Sequence, residues 1–134
     1  MPPRYLLDTD IASYIIKNSV PRVVERLRQV PFDEVCISVV TEAELRFGLA
    51  RAPEATRLGF FVEDFLAHVQ ILPWDSESAK VYAYVRANLE REGNLLGSMD
   101  MMIAAQALAA GYVLVTHDRA FRRVRRLKSV DWTR

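Results

Sequence analysis

Asp8, Glu44, Asp100 and Asp118 are the residues of this chain whose type and placement suit one shared chemistry. Each follows an apolar, strand-like run or opens a helix. In an open α/β sheet such positions converge on the crevice beyond the carboxyl ends of the strands. Carboxylates gathered there without cations repel one another, so sequences rarely collect them for stability. A cluster of this kind suits a hard divalent cation, and a cation held by carboxylates commonly acts on phosphate esters.

Each acid also has an ordinary structural role open to it. Asp8 ends the run Tyr5-Leu6-Leu7 and is placed to cap the next helix. With Asp10 it spells Asp-x-Asp after a strand, which is also how an aspartyl phosphotransferase begins, with Asp8 as nucleophile. That chemistry needs a lysine beside the phosphoryl group, and Lys17, Lys80 and Lys128 are the only three, none after a convincing strand. Thr41-Glu42-Ala43-Glu44 fits a capping box with Thr41 at the N-cap and Glu44 at its third position. Asp100 fits a first-turn acid behind a Ser98 cap, and Asp118 a cap for the basic segment after it. The coincidence of four acids at one edge carries the metal reading, not any single one. His117 reads as a loop histidine within reach of the site, His68 as a surface or helix-end residue, and Thr116 as a hydrogen-bonding partner for a ligand or water. Cys36, inside an apolar run, reads as a buried, inert thiol.

The elements that must position these residues follow from apolar periodicity. Tyr5–Leu7, Val35–Val40, Ile71-Leu72 and Tyr112–Val115 read as strands, with a fifth edge strand around Val130. Helices are expected over Ile11–Lys17, from Pro21, from Thr41, around Phe61–Val69, around Val81–Leu89 and from Ser98 to Ala110. The strands are continuous apolar runs alternating with helices of crossover length, which predicts an α/β fold. It is a three-layer α/β/α sandwich on a mainly parallel sheet, a single domain over residues 1–134.

Composition narrows the setting. The hydrophobic fraction of 51% and charged fraction of 26% are those of an ordinary globular chain. No stretch reaches the roughly 20 apolar residues of a membrane span, and the N-terminus lacks a signal-peptide core. A single cysteine suits a reducing cytoplasm. The net charge of +1 hides an asymmetry, because residues 119–134 hold seven basic residues against Asp131 alone. Basic residues beside an acidic cluster suit a polyanionic substrate, and a solvated basic face is the plain alternative.

Several motifs then carry a resemblance. Leu6-Leu7-Asp8-Thr9-Asp10, Ile37-Ser38-Val39-Val40-Thr41-Glu42-Ala43-Glu44-Leu45-Arg46-Phe47-Gly48, Gly97-Ser98-Met99-Asp100-Met101-Met102-Ile103-Ala104-Ala105, Leu114-Val115-Thr116-His117-Asp118 and Val130-Asp131-Trp132 occur in order along nearly the whole chain. Together they resemble the PIN-domain ribonucleases, and within them the VapC toxins of bacterial toxin–antitoxin pairs. The resemblance implies an endoribonuclease dependent on Mg²⁺ or Mn²⁺. Asp8 and Asp100 would hold the ion directly, and Glu44 and Asp118 through water or at a second ion. It implies structured RNA as substrate, typically transfer RNA, with Arg46, Thr116, Arg119 and Arg122 as substrate contacts. It further implies a homodimer and a VapB-like antitoxin partner, with no membrane association. Asp10 stands where the family commonly has asparagine, and the position of Asp118 is the family's most variable acid. A non-catalytic scaffold that binds RNA or a partner remains the other alternative. The four intact acids argue against it, since a binding module gains nothing by desolvating them.

Overall fold

The computed structural model describes residues 4–134. Five short segments, Tyr5–Leu7 (β1), Val35–Ser38 (β2), Gln70–Leu72 (β3), Val113–Val115 (β4) and Ser129–Val130 (β5), form one sheet whose paired neighbours are all parallel. Their order is β3-β2-β1-β4-β5. Parallel neighbours require crossovers. Thr9–Lys17 (α1) with Pro21–Arg28 (α2), Val39–Arg51 (α3) with Thr56–His68 (α4), and Ser76–Arg91 (α5) with Ser98–Ala110 (α6) supply three of them, and the 3-10 turn Arg119–Arg123 the fourth, from β4 to β5.

Alternation along each strand sorts the apolar side chains into two layers. Leu6, Cys36 and Leu114 pack on one face with Val85 and Leu89 of α5 and Ile103 and Ala104 of α6. Leu7, Ile37 and Val115 pack on the other with Ile11, Val23, Val62 and Leu66. Both faces are covered, which is why the strands read as continuous apolar runs. The predicted α/β/α sandwich is the fold. Ala104, Ala105 and Ala107 are fully buried, so α6 lies close against the sheet. Trp132 closes the second layer at the C-terminal edge, its ring centroid 5.5 Å from that of Tyr5.

Several element boundaries differ from expectation by a residue or two, and two of the differences touch the acids. The strand predicted to reach Val40 stops at Ser38, whose hydroxyl accepts the Val40 N–H at 3.0 Å and caps α3. Thr41 therefore sits inside the first turn of α3, fully buried, and makes no capping box with Glu44. Likewise Ser98 does not cap α6: Gly97 is the N-cap, without a side-chain bond, and Ser98 is the first helical residue. Among the described residues no helix is long and apolar enough to cross a membrane.

Candidate active site

The sheet order reverses at β1, which has β2 on one side and β4 on the other. Such a reversal opens a crevice at the carboxyl ends of the strands. In the parallel register Leu7 lies level with Ile37 and with Val115. The next residue, Asp8, thus emerges between Ser38 and Thr116. Its backbone N–H donates to the Val115 carbonyl at 3.0 Å, and its Oδ1 accepts the Ile11 N–H at 2.9 Å, capping α1. Capping and a role in the site are therefore compatible, since the cap uses one carboxylate oxygen. Asp8 is only 4% exposed. Burial pushes its carboxyl up to about 6 and Asp10 adds to the rise, while the Thr116 hydroxyl, the Ile11 N–H and His117 pull against it.

Asp100 lies in the first turn of α6, half-buried. Burial raises its proton affinity most, followed by the charges of Glu44, Asp118 and Asp10. The charges of Glu44 on α3, Asp10 on α1 and Asp118 after β4 thus all reach Asp100 at the start of α6. Glu44 is half-buried, and its Oε1 accepts the Thr9 hydroxyl at 2.6 Å. Thr9 Oγ1 also lies 3.1 Å from the Thr41 hydroxyl. Asp118 is exposed; its Oδ1 accepts the Ala120 N–H at 2.9 Å, and its own N–H donates to Thr116 Oγ1 at 3.0 Å. It caps the 3-10 turn Arg119–Arg123.

Among the described residues no ion pair involves Asp8, Glu44, Asp100 or Asp118. The lysine that a phosphotransferase needs is not paired with Asp8, and Lys80 is engaged with Glu77 at 3.2 Å on α5. Among the described residues no three His, Cys, Asp or Glu side chains stand in one ready-made ligating group. The donor chemistry is nevertheless specific: unneutralised carboxylate oxygens, with the Cys36 thiol pushed up to about 12 by burial and held by the Tyr5 carbonyl at 3.3 Å. An open, oxygen-only set fits Mg²⁺ or Mn²⁺ better than zinc, because Mg²⁺ keeps several of its waters and takes few carboxylates.

The other candidates separate. Arg119, Arg122, Thr116 and His117 line a notch of about 150 Å³ beside Asp118, joined by Arg134. Arg46 does not reach it: its guanidinium bonds Glu42 at 2.9 Å and Glu63 at 3.1 Å. Two residues past Glu44, it lies about 200° around the helix from it. His68 is exposed and bonds the Asp64 carbonyl at 2.7 Å. His117 Nε2 is 3.0 Å from Asp10 Oδ2 and 3.3 Å from the Tyr14 hydroxyl. Sequence reasoning missed Thr9 and Tyr14 as site residues. Tyr14 was signalled only by its place four residues after Asp10, on the same helical face.

The PIN domain profile matches residues 5–127. Ribonuclease VapC2 of Haemophilus influenzae is 34% identical over 130 residues, covering 96% of this chain and 98% of that protein. The tRNA(fMet)-specific endonuclease VapC of Shigella flexneri is 34% identical over 131 residues, covering 97% of this chain and 98% of that protein. The structure of DNA-bound VapBC from Salmonella typhimurium superposes with a TM-score of 0.90 at 32% identity, covering 98% of this chain and 99% of that one.

Proposed function

The chain belongs to the PIN-domain family, and from that premise we propose that it is the endoribonuclease toxin of a toxin–antitoxin pair, dependent on Mg²⁺ or Mn²⁺. The observation that carries this reading is Asp8, buried at the point where the sheet order reverses, together with the half-buried Asp100, whose proton affinity is raised by burial and by the charges of Glu44, Asp118 and Asp10. A site that desolvates carboxylates without supplying cations is arranged to receive one. Relatives named as ribonucleases, one of them specific for tRNA(fMet), support RNA as the substrate class.

Asp8 and Asp100 would hold the ion, with Glu44 and Asp118 joining through water or at a second ion. When bound, the ion supplies a Lewis acid that neutralises charge on the scissile phosphate and acidifies a coordinated water. The remaining work falls to this chain's own groups. Thr9 fixes Glu44 by holding Oε1, leaving Oε2 to orient the attacking water and accept its proton. In-line attack leaves 5′-phosphate and 3′-hydroxyl ends. Arg119 and Arg122, at the rim beside Asp118, neutralise the flanking phosphates, and Thr116 holds Asp118 in register.

The reading extends to partners. Solved VapBC complexes among the structural relatives support a VapB-like antitoxin. Phe47, Phe60 and Phe61, exposed by 62%, 68% and 41%, provide apolar surface for it. The protein acts in the cytoplasm as a homodimer, which light scattering checks directly. The decisive experiment incubates purified protein with a transfer RNA transcript and Mg²⁺ or Mn²⁺. Cleavage by the wild type, abolished by EDTA and by Asp8→Asn, is expected. Full activity of Asp8→Asn, or of wild type stripped of metal, would sink the assignment.

A further inference from the structure

Away from the acid crevice, α5, the end of α6 and the basic turn after β4 enclose a groove of about 570 Å³. Its floor is apolar: Val85, Leu89 and Val124 are buried there, beside the half-buried Leu108. On one rim Tyr84 stands 76% exposed. The opposite rim carries Arg123, Arg125 and Arg126; Arg125 reaches across to Glu92, the C-cap of α5, at 3.7 Å, and Arg123 donates to the Leu95 carbonyl at 3.2 Å. Val124 anchors in the core between these arginines and so turns them outward.

This turn begins at the active site. Asp118 caps its first residues, so a basic strip runs from Arg119 and Arg122 at the acids to Arg123, Arg125 and Arg126 at the groove. We propose that the groove is a second RNA-binding surface, taking an unpaired nucleotide of the substrate's flank. The base stacks on Tyr84 over the apolar floor, and the arginines hold its phosphates. The proposal rests on the ribonuclease reading and adds to it a surface that positions the substrate.

Three observations favour RNA over a protein partner. Residues 119–134 hold seven basic residues against one acid, and the rest of the chain is net negative, so a polyanion is drawn to this side. A positively charged groove that also presents an exposed aromatic side chain is the usual platform for unpaired bases. The volume also falls within the range of about 300–1,000 Å³ that holds a small molecule, which a nucleotide resembles in size.

The test measures binding of a fluorescein-labelled initiator tRNA transcript to full-length protein by anisotropy, in EDTA and at several salt concentrations. Tyr84→Ala is expected to weaken binding about tenfold, and Tyr84→Phe, which keeps the stacking surface, to retain it. Arg125→Gln with Arg126→Gln is expected to flatten the salt slope by about 0.7 for each phosphate no longer neutralised. Circular dichroism of all variants should match the wild type, since these side chains are exposed. Wild-type affinity and salt slope in both variants would overturn the proposal, as would a wild type that binds no RNA. Conversion of a dimer to a monomer by Tyr84→Ala would overturn it too, by making the groove a self-interface. Cleavage is scored separately: groove-dependent binding without cleavage removes the nuclease reading alone, and cleavage with binding untouched by the variants removes the groove alone.

Discussion

Asp8 carries the sharpest consequences at the scale of single residues. Its carboxyl ordinarily loses its proton near 3.8, and in the folded protein near 6. Well below 3.8 both states are protonated and the group costs nothing. Above that, the unfolded chain ionises first, so stability falls as pH rises through about 6, by about 3 kcal/mol at one pKa unit per 1.36 kcal/mol. Metal-free Asp8→Asn keeps the cap, because asparagine caps as well as aspartate, and is expected to lose this slope. Urea midpoints from pH 4 to 8 decide it; parallel curves for mutant and wild type would refute the burial argument. Glu44 depends on Thr9 instead. Thr9→Val removes the 2.6 Å bond to Oε1 and should lower kcat about 10- to 100-fold, the cost typical of losing a residue that orients a ligand. An unchanged kcat and unchanged Mn²⁺ dependence would release Thr9 from that role.

Among the elements, α3 is where local signals misled. Thr41 through Glu44 has the residue types of a capping box, and Val39 and Val40 have those of a strand. Ser38 overrode both by bonding the Val40 N–H, so the chain turned into a helix two residues early. Glu44 consequently lies beyond the first turn and reaches Thr9 across the crevice. Ser38→Ala should therefore cost about 1 kcal/mol in a denaturant titration, whereas Glu44→Gln should leave stability of the metal-free protein unchanged or higher. Loss of stability in Glu44→Gln would restore the capping explanation. Strand and helix identities were otherwise legible because their apolar periods are clean. Arg46 was not: a one-dimensional motif does not reveal that Glu63, on the neighbouring helix α4, claims its guanidinium.

For the molecule as a whole, the acids come to one edge of the sheet only because parallel crossovers bring separate strand and helix ends together. A divalent ion that binds the folded state alone stabilises it by about 2.7 kcal/mol at one hundred times its dissociation constant. Thermal midpoints should thus climb with Mn²⁺ in the wild type, less in Asp8→Asn and Asp100→Asn, and as much as wild type in Tyr84→Ala. An equal rise in all four would place the ion elsewhere. The sequence by itself determined the alternation of strands and helices, the buried thiol and the four acids with their motifs, since residue types and spacing are local properties. Tertiary structure decided which acids are desolvated, that Thr9 holds Glu44, that His117 bridges Asp10 and Tyr14, and that Arg46 is engaged by Glu42 and Glu63. Those outcomes depend on register and on contacts between residues distant in the chain, which only the packing of the layers establishes.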